Sequence, residues 1–486
     1  MGKRPLHYRS ALDLGRKLAR RKIEAPDLLE AMIERVETID QAINAVVVRD
    51  YPRARKAAEA AHKRLKAGEP LSPIDGVPIT VKESFDWAGT PTTWGSPPLK
   101  DNRPATSAVT VERLEGAGAV LFGKTNVPLM LADWQSFNAI YGTTNNPWDL
   151  TRSPGGSSGG SAAALATGMS ALELGSDIGA SIRNPAHYCG VYGHKPTYGI
   201  VPMRGHLLPG AYAYADISCG GPLARSAEDL ALALALIAGP HGPEARQMRF
   251  KLARPRVKSL REARVAVMLD DPASEVDQPV KDQIAALGAF LSPRVKALSF
   301  DARPAFDTAE ANELYIGLLR AATSARQSDA DFEANLARRG ALKADDHSYF
   351  ALMTRANTIH HRDWLKLNNR RHQMRLLWDA FFEDWDVLLC PAAASAAFPH
   401  DHKGERHERT IEVNGHRVPT TDQLFWAGYP GGFYLPSTVA PIGLTAGGLP
   451  VGVQIVAGEH EDLTAIRFAA LLEQEYRGFE PPPGYP

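Results

Sequence analysis

The sequence predicts an α/β fold: a single large domain with a mixed, mostly parallel, twisted central sheet that helices cover on both faces. The main observation is an alternation that starts near residue 70. Short apolar runs at 77–81, 119–122 and 171–174 are typical of buried strands, and helical patterns at 107–115 and 159–168 lie between them. Strands that alternate with helices in this order favour a sheet flanked by helices.

A second observation concerns domain organisation. Apart from one Gly/Ser loop at 153–160 the chain has no low-complexity stretch, and it has no internal repeat. We therefore expect residues 1–486 to form one domain rather than the three or so that the length alone would suggest.

The remaining segments fit this plan. Residues 10–38 predict two amphipathic helices, the first with Ser10 as its N-cap and the second with Pro26 near its start. The apolar run at 43–48 is compatible with a strand or a helix. The pattern over most of 301–386 predicts charged helices, the last of them a long helix over 362–382. The pattern returns to strands afterwards, and the predicted strands outside the first block are 265–268, 387–389 and 451–456.

Composition excludes several classes of function. The 55 basic and 55 acidic residues give no net charge, whereas a nucleic-acid-binding protein needs an excess of Lys and Arg. The longest apolar stretch, 230–238, is about half a membrane span and predicts a core helix. The N-terminus lacks the apolar region of a secretory signal. Three isolated cysteines, Cys189, Cys219 and Cys390, are expected to be free thiols. Together these features favour a cytoplasmic protein with no membrane or nucleic-acid partner.

Two familiar motifs occur in contexts that argue against them. Residues 118–125 satisfy the GxxxxGK[ST] expression, but the four intervening residues form a predicted strand instead of a phosphate-wrapping loop. Residues 155–159 satisfy GxSxG, the nucleophile elbow of α/β-hydrolases. That motif requires a catalytic histidine, and His187, His194 and His206 follow unusually soon after it. A His-dependent elbow hydrolase therefore stays open as an alternative.

A longer set of motifs is more specific. The segments GGSSGGS at 155–161, GSDIGASIRNP at 175–185 and CGVYGHKPTYG at 189–199 follow one another in the chain. Upstream are GVPITVKE at 76–83 and GKTN at 123–126, and related C-terminal patterns follow near 386–391 and 448–454. In their residues and in their order these segments closely resemble the motifs of the amidase signature family, over about residues 10–475. The resemblance implies a catalytic core at about 70–235 and 385–475, with a variable helical region at about 300–385 on the substrate side.

The resemblance also implies site residues. Ser181 corresponds to the family's nucleophile, Ser157 to the bridging serine after a cis Gly–Ser bond, and Lys82 to the terminal base. The loop with Ile178, Gly179 and Ala180 would supply oxyanion donors. The sequence departs from the family at two positions. Ala180 replaces a customary glycine, which is tolerated if its φ is negative, and Glu83 replaces an aspartate without changing the charge.

Elementary chemistry supports these roles. A serine hydroxyl needs a base to become an effective nucleophile. An exposed lysine, with a pKa of about 10.4, is protonated at neutral pH. Burial beside apolar neighbours such as Ile79 and Val81 disfavours the ammonium form and lowers that pKa. A hydroxyl such as that of Ser157 both donates and accepts, so it can relay a proton. We interpret Asp177 and Arg183, beside the nucleophile, as a structural pair that orders the loop.

The histidines at 400, 402 and 407 are interpreted as a solvated loop, because their segment lacks a defined ligand geometry. We therefore expect neither a metal nor a cofactor.

The expected reaction is hydrolysis of small-molecule carboxylic amides by water. The segment after GKTN is apolar at its start, and Leu131 is expected to line the substrate site. An apolar wall favours aryl or alkyl amides, with esters and carbamates as side activities. The family also contains the glutamine-amidase subunit of an amidotransferase complex, which is the second alternative. The oligomeric state stays open.

Overall fold

The strands define the centre of the fold in the computed structural model, which describes residues 5–485. The described strands are β1 Val46–Arg49, β2 Pro78–Lys82, β3 Val120–Thr125, β4 Phe137–Asn138, β5 Gly142–Thr143, β6 Leu172–Asp177, β7 Tyr192–Lys195, β8 Cys219–Ala224, β9 Arg264–Val267, β10 Ala297–Ser299, β11 Val387–Pro391, β12 Thr410–Val413, β13 His416–Pro419, β14 Ser437–Leu444 and β15 Pro450–Val456.

The described helices pack around these strands. They are α1 Ala11–Ala19, α2 Ala25–Ile43, α3 Tyr51–Ala67, α4 Val109–Gly116, α5 Gly159–Ala166, α6 Arg183–Cys189, α7 Ala227–Ile237, α8 Gln278–Leu291, α9 Thr308–Thr323, α10 Asp329–Ala341, α11 Tyr349–Asn357, α12 His361–Asp384, α13 Leu424–Gly431 and α14 Asp462–Glu475.

Within the described residues, eleven strands form one sheet in the order β1-β3-β2-β6-β8-β7-β14-β15-β11-β9-β10. Helices flank it, among them α3 on β3, α7 on β8, and α6 on β14 and β15. The α/β class and the single mixed sheet are thus confirmed.

The parallel pairs of this sheet form two blocks, β3-β2-β6 and β11-β9-β10. The strands between these blocks pair antiparallel, as does the edge strand β1, so the described part of the sheet has six antiparallel and four parallel pairs. The structure corrects the prediction of a mostly parallel sheet in this detail, because parallel pairing is limited to the two blocks. One reason is local, because the connection between β14 and β15 at 445–449 is too short for the crossover that parallel strands need.

Local signals explain how the N-terminal segment folds. Ser10 caps α1 by accepting a hydrogen bond from the Asp13 amide, as predicted. The open question at 43–48 is resolved as the end of α2 followed by strand β1. Asn44 ends the helix with φ 57°, and the buried Asp40 carboxylate accepts from the amides of Ala45 and Val46. Residues 1–4, the start of the segment assessed for a secretory signal, lie outside the described residues.

Other expectations concern single features. The three cysteines are free and buried, as predicted. The apolar stretch at 230–238 forms most of helix α7. Among residues 5–485, no helix has both the length and the apolar character needed to cross a membrane.

Candidate active site

The candidate site lies where two parallel strands end. Lys82 is the last residue of β2, and β6, its parallel neighbour, ends at Asp177. Because carboxyl ends of parallel strands meet at the same edge of a sheet, Lys82 faces the loop that follows β6 and carries Ser181. The Gly/Ser loop before α5 brings Ser157 to the same edge.

Lys82 and Ser157 are in direct contact. The Lys82 Nζ atom lies 2.6 Å from Ser157 Oγ, and it donates to Ser176 Oγ at 3.0 Å and to the Ser176 carbonyl at 3.3 Å. Lys82 is fully buried and forms no ion pair within the described residues. Burial holds the pKa of Lys82 well below its usual value, and the more distant Asp177 carboxylate opposes this only in part.

A backbone hydrogen bond joins the loop that carries Ser157 to the loop that carries Ser181. The peptide bond between Gly156 and Ser157 is cis. The amide of the next residue, Ser158, donates to the Ser181 carbonyl at 3.1 Å, which ties the two loops together. Of the predicted trio, Ser181 lines a cavity of about 820 Å³. The structure thus brings Lys82 into contact with Ser157 and ties the loop of Ser157 to that of Ser181, which lines the cavity.

The loop after β6 presents backbone N–H groups beside Ser181. Within residues 5–485, the amides of Ile178, Gly179 and Ser181 make no hydrogen bond, and all three residues line the cavity. The Ala180 amide instead donates to Asp177 Oδ1 at 3.0 Å. Ala180 is thus removed from the predicted set of oxyanion donors, because the carboxylate that orders the loop already uses its N–H.

Two aromatic side chains that sequence reasoning missed fix this loop. The Trp134 Nε1–H donates to the Gly179 carbonyl at 2.7 Å, and the Tyr315 hydroxyl donates to the Ile178 carbonyl at 3.2 Å. These contacts hold the two carbonyl groups in place, which orients the peptide units that follow them. No local pattern marks either residue, since each reaches the loop only through the tertiary fold.

Asp177 and Arg183 form the structural pair that the sequence predicted. Both side chains are fully enclosed, and the guanidinium donates from Nη2 and Nε to the two carboxylate oxygens at 2.8 and 3.0 Å. Burial alone would raise the pKa of Asp177, but the Arg183 charge and hydrogen bonds lower it, with a further contribution from the Ile182 amide. Asp177 also accepts from the amides of Ala180 and Ile182, so the pair holds the loop folded around Ser181.

Ala180 departs from expectation in its backbone. Its φ is +66°, in the left-handed region that favours glycine, whereas a negative φ was expected. An alanine in this conformation costs roughly 1–2 kcal/mol. The buried environment and the Asp177 contact enforce it.

We expect Ala180→Gly to be less destabilising than Ala162→Gly. The decrease in the free energy of unfolding should be about 1–2 kcal/mol smaller for Ala180→Gly, because the glycine relieves the left-handed strain. Ala162 is an equally buried alanine inside helix α5, where glycine costs about 1 kcal/mol before packing losses. Equilibrium urea denaturation of both variants measures the difference. Equal losses would show that Ala180 is unstrained.

Both apolar and charged side chains line the cavity. Leu131, which is expected from the sequence to line the substrate site, is one of the apolar residues, together with groups from the helical region and α13. The apolar lining comprises Met130, Leu131, Leu319, Phe350, Met353 and Leu424. Arginine side chains also line the cavity, so the expectation of an apolar wall holds for only part of its lining.

The contacts of the three candidate histidines do not support the histidine-dependent alternative. His187 binds the Ser395 carbonyl and the Gly452 amide, and His194 binds Thr438 and Asp462. His206 contacts Ser84 Oγ at 3.0 Å. Within the described residues none of these three histidines hydrogen-bonds Ser157 or Ser181. His187 is held in α6 and His194 in β7, whereas His206 lies in a loop.

The GxxxxGK[ST] segment is strand β3, as its apolar sequence predicted. Lys124 points into the interior, where its Nζ donates to Thr92 Oγ1 at 2.8 Å and to the Pro91 carbonyl. Burial lowers the pKa of Lys124 to about 8. Glu83 accepts from the amides of Thr93 and Trp94, so it anchors a loop.

The C-terminal histidines have ordinary loop contacts. His400 binds Asn145, and His402 stacks on Phe137. Among the described residues, no group of three or more His, Cys, Asp or Glu side chains is arranged to hold a metal ion.

Comparisons with known proteins identify the family of this chain. The model of the Amidase family matches residues 27–465. An acylamidase of Rhodococcus erythropolis is 33 % identical over 97 % of this chain and 96 % of its own. A glutamyl-tRNA(Gln) amidotransferase subunit of Anaeromyxobacter sp. (strain K) is 35 % identical over 97 % of each chain.

Solved structures give the same result. A bacterial aryl acylamidase of the amidase signature family superposes with a TM-score of 0.83 at 26 % identity, covering 99 % of this chain and all of that one. Family, relatives and fold thus coincide over nearly the whole length. The chain belongs to the amidase signature family and is an amide-hydrolysing enzyme.

Proposed function

We propose that this enzyme cleaves carboxylic amides through an acyl-enzyme on Ser181, with Ser157 as proton relay and Lys82 as base. The observation that carries the proposal is the 2.6 Å contact between Lys82 Nζ and Ser157 Oγ, made by a buried lysine without an acidic partner among the described residues. A neutral amine has two N–H donors and one lone pair. The two contacts to Ser176 use the donors, and the lone pair accepts from the Ser157 hydroxyl.

In the first half-reaction Ser181 Oγ bonds to the amide carbonyl carbon. Its proton passes to Ser157 Oγ, whose own proton passes to Lys82 Nζ. When the tetrahedral intermediate collapses, the C–N bond breaks and the proton returns through Ser157 to the leaving amine. Water then attacks the ester on Ser181 with the same proton path, and the carboxylic acid is released with Ser181 regenerated.

The negative charge of the tetrahedral intermediate develops on the former carbonyl oxygen. The amides of Ile178, Gly179 and Ser181 are the donors we assign to that oxygen. Preorganised donors of this kind typically contribute about 2.7–4 kcal/mol each to transition-state stabilisation. Asp177, Trp134 and Tyr315 hold the loop that carries them.

The apolar lining of the cavity supports aryl and alkyl amides as substrates, with ester and carbamate hydrolysis as side activities. Leu131 and the apolar side chains around it can bury an aryl or alkyl group beside Ser181. Two similar proteins are named acylamidase and aryl acylamidase. The balanced charge and free cysteines favour a cytoplasmic enzyme that acts on small molecules.

A substrate screen of the purified chain tests this proposal. We expect turnover of neutral anilides and primary amides by the chain alone, at unchanged rate with a chelator present, and none by Ser181→Ala. Esters and carbamates with the same acyl group establish the side activities. Absence of turnover on every amide would contradict the proposal.

The second candidate is the glutamine-amidase subunit of an amidotransferase. The 35 % identity to an amidotransferase subunit favours it. Release of ammonia from glutamine that requires a co-purified partner would establish this function. Anilide turnover by the isolated chain, without glutaminase activity, would exclude it.

A further inference from the structure

Besides the exposed Arg338, three partly buried guanidinium groups line the same cavity as Ser181. They belong to Arg320 on α9, Arg326 just after it, and Arg406 in the loop before β12. All three are at most partly exposed, and none forms an ion pair with a carboxylate within the described residues. This is unusual, because a cation withdrawn from water is costly unless an anion accompanies it.

Arg320 and Arg406 converge on one phenol. The Tyr349 hydroxyl oxygen accepts from Nη2 of both, at 2.9 Å for Arg406. Burial would raise the pKa of Tyr349, but the two guanidinium charges outweigh it and lower that pKa. The Nε of Arg320 is buried and has no hydrogen-bond partner among residues 5–485. The pair thus keeps an unused donor in the cavity and has no carboxylate ion-pair partner within the described residues.

Arg326 also has no carboxylate partner within the described residues. Its guanidinium lies over the Trp94 ring, 5.1 Å from the centroid, and within the described residues its Nη1 donates only to the Met130 carbonyl, at 3.4 Å. Burial lowers the pKa of Arg326, and no carboxylate in the described part of the chain opposes this.

The acidic groups that line the cavity are engaged elsewhere. Asp133 pairs with Arg409 at 2.6 Å. The exposed Asp331 accepts from the Ser328 hydroxyl, at the start of helix α10. Glu408 accepts from the Glu405 amide, and the two form a reciprocal capping box in an exposed turn. Within the described residues none of them forms an ion pair with the three arginines. Burial would lower the pKa of Arg406, but the charges of Tyr349 and the more distant Asp133 raise it.

We propose that the arginines Arg320, Arg326 and Arg406 bind a carboxylate of the substrate, so that the preferred amides carry a carboxylate group remote from the scissile bond. A planar carboxylate matches the fork of guanidinium donors and supplies the missing anion. This inference rests on the proposed function, since it places the group in the cavity that Ser181 opens into.

The distance along α9 is suitable for a substrate that extends from Ser181 to Arg320. Tyr315 contacts the loop beside Ser181, and Arg320 follows five residues later, about 7.5 Å further along the helix axis. A short aliphatic or aryl spacer against the apolar lining of the cavity would therefore connect the amide to the carboxylate.

The test compares matched substrates on the unmodified enzyme. The probes are 4-nitroanilides of dicarboxylic acids with four to eight carbons, each paired with the alkanoyl 4-nitroanilide of equal chain length. A second set places the carboxylate on the amine side, as N-acyl amino acids paired with N-acyl alkylamines. We expect kcat/KM for the carboxylate member to exceed that of its neutral partner at least tenfold at the best chain length of one set.

Variants locate the effect. Arg320→Met and Arg406→Met should each lower the carboxylate-to-neutral ratio of kcat/KM at least tenfold. Arg370→Met is the matched control, because Arg370 is partly exposed, pairs with Glu310 and lies outside the cavity, so it should keep the ratio.

The outcomes separate the two proposals. Turnover of neutral anilides with no carboxylate preference in either set would overturn this inference and leave the proposed function standing. A preference that survives both arginine substitutions would also overturn it. No turnover of any amide would overturn the proposed function and this inference with it.

Discussion

Replacing Ser181 with alanine is expected to lower amide turnover by about 10⁴-fold or more, because loss of a nucleophile removes the covalent route altogether. A serine-directed fluorophosphonate should label the peptide that contains Ser181 in the unmodified enzyme, and labelling should be absent in Ser181→Ala. Stopped assays with an anilide and mass spectrometry of the labelled peptide measure the two effects.

Ser158→Ala is the matched control. Ser158 lies in the adjoining loop and is buried like its neighbours, and within the described residues its hydroxyl donates only to the Ser176 carbonyl, at 3.4 Å. It should retain most of the turnover and all of the labelling. An adduct on Ser157 instead of Ser181 would reverse the assignment of nucleophile and relay.

Removing Lys82 is expected to have the second large effect. Lys82→Ala should lower kcat by orders of magnitude while the fold stays intact, since the base acts chiefly in the transition state. Lys82→Arg should be no better, because a guanidinium stays protonated at any working pH and cannot accept the serine proton. Circular dichroism and anilide kinetics of both variants provide the measurement.

Near-normal activity in Lys82→Arg would show that Lys82 acts through charge alone and would contradict the proposed base. His206→Gln provides a comparison, because burial lowers the pKa of His206 and any charge on the nearby Lys82 would lower it further. If this substitution reproduced the loss of activity, a histidine would replace Lys82 as the base.

The sequence could predict the parts of the site that lie in contiguous motifs. Strand β2, the Gly/Ser loop and the loop after β6 each have a local pattern, and the resemblance to a family joined Lys82 to Ser157 across 75 residues. The interpretation of β3 as a strand also followed from its own apolar residues.

Features that arise from tertiary contacts were not predictable. The left-handed Ala180 is imposed by the loop around Asp177, and the Ala180 amide is taken by that carboxylate. Tyr315 and Trp134 reach the loop after β6 from distant segments. Arg320 and Arg406 are 86 positions apart in the sequence and meet only at Tyr349. Hydrophobic periodicity relates only residues that are close in the sequence, so it could not indicate that arginines from distant segments line the cavity.

The pH dependence of Ser181 phosphonylation tests the central claim most directly, because it follows the first proton transfer without product release. Burial holds the pKa of Lys82 below its usual value, so the protonated form, which cannot act as a base, predominates only below that lowered pKa. The labelling rate should therefore rise with pH through a single ionisation and then level off below about pH 10, near which an ordinary lysine titrates. In Lys82→Ala the rate should be far lower and this ionisation should disappear. If the same ionisation persists in Lys82→Ala, the base is another group and the serine–serine–lysine mechanism is wrong.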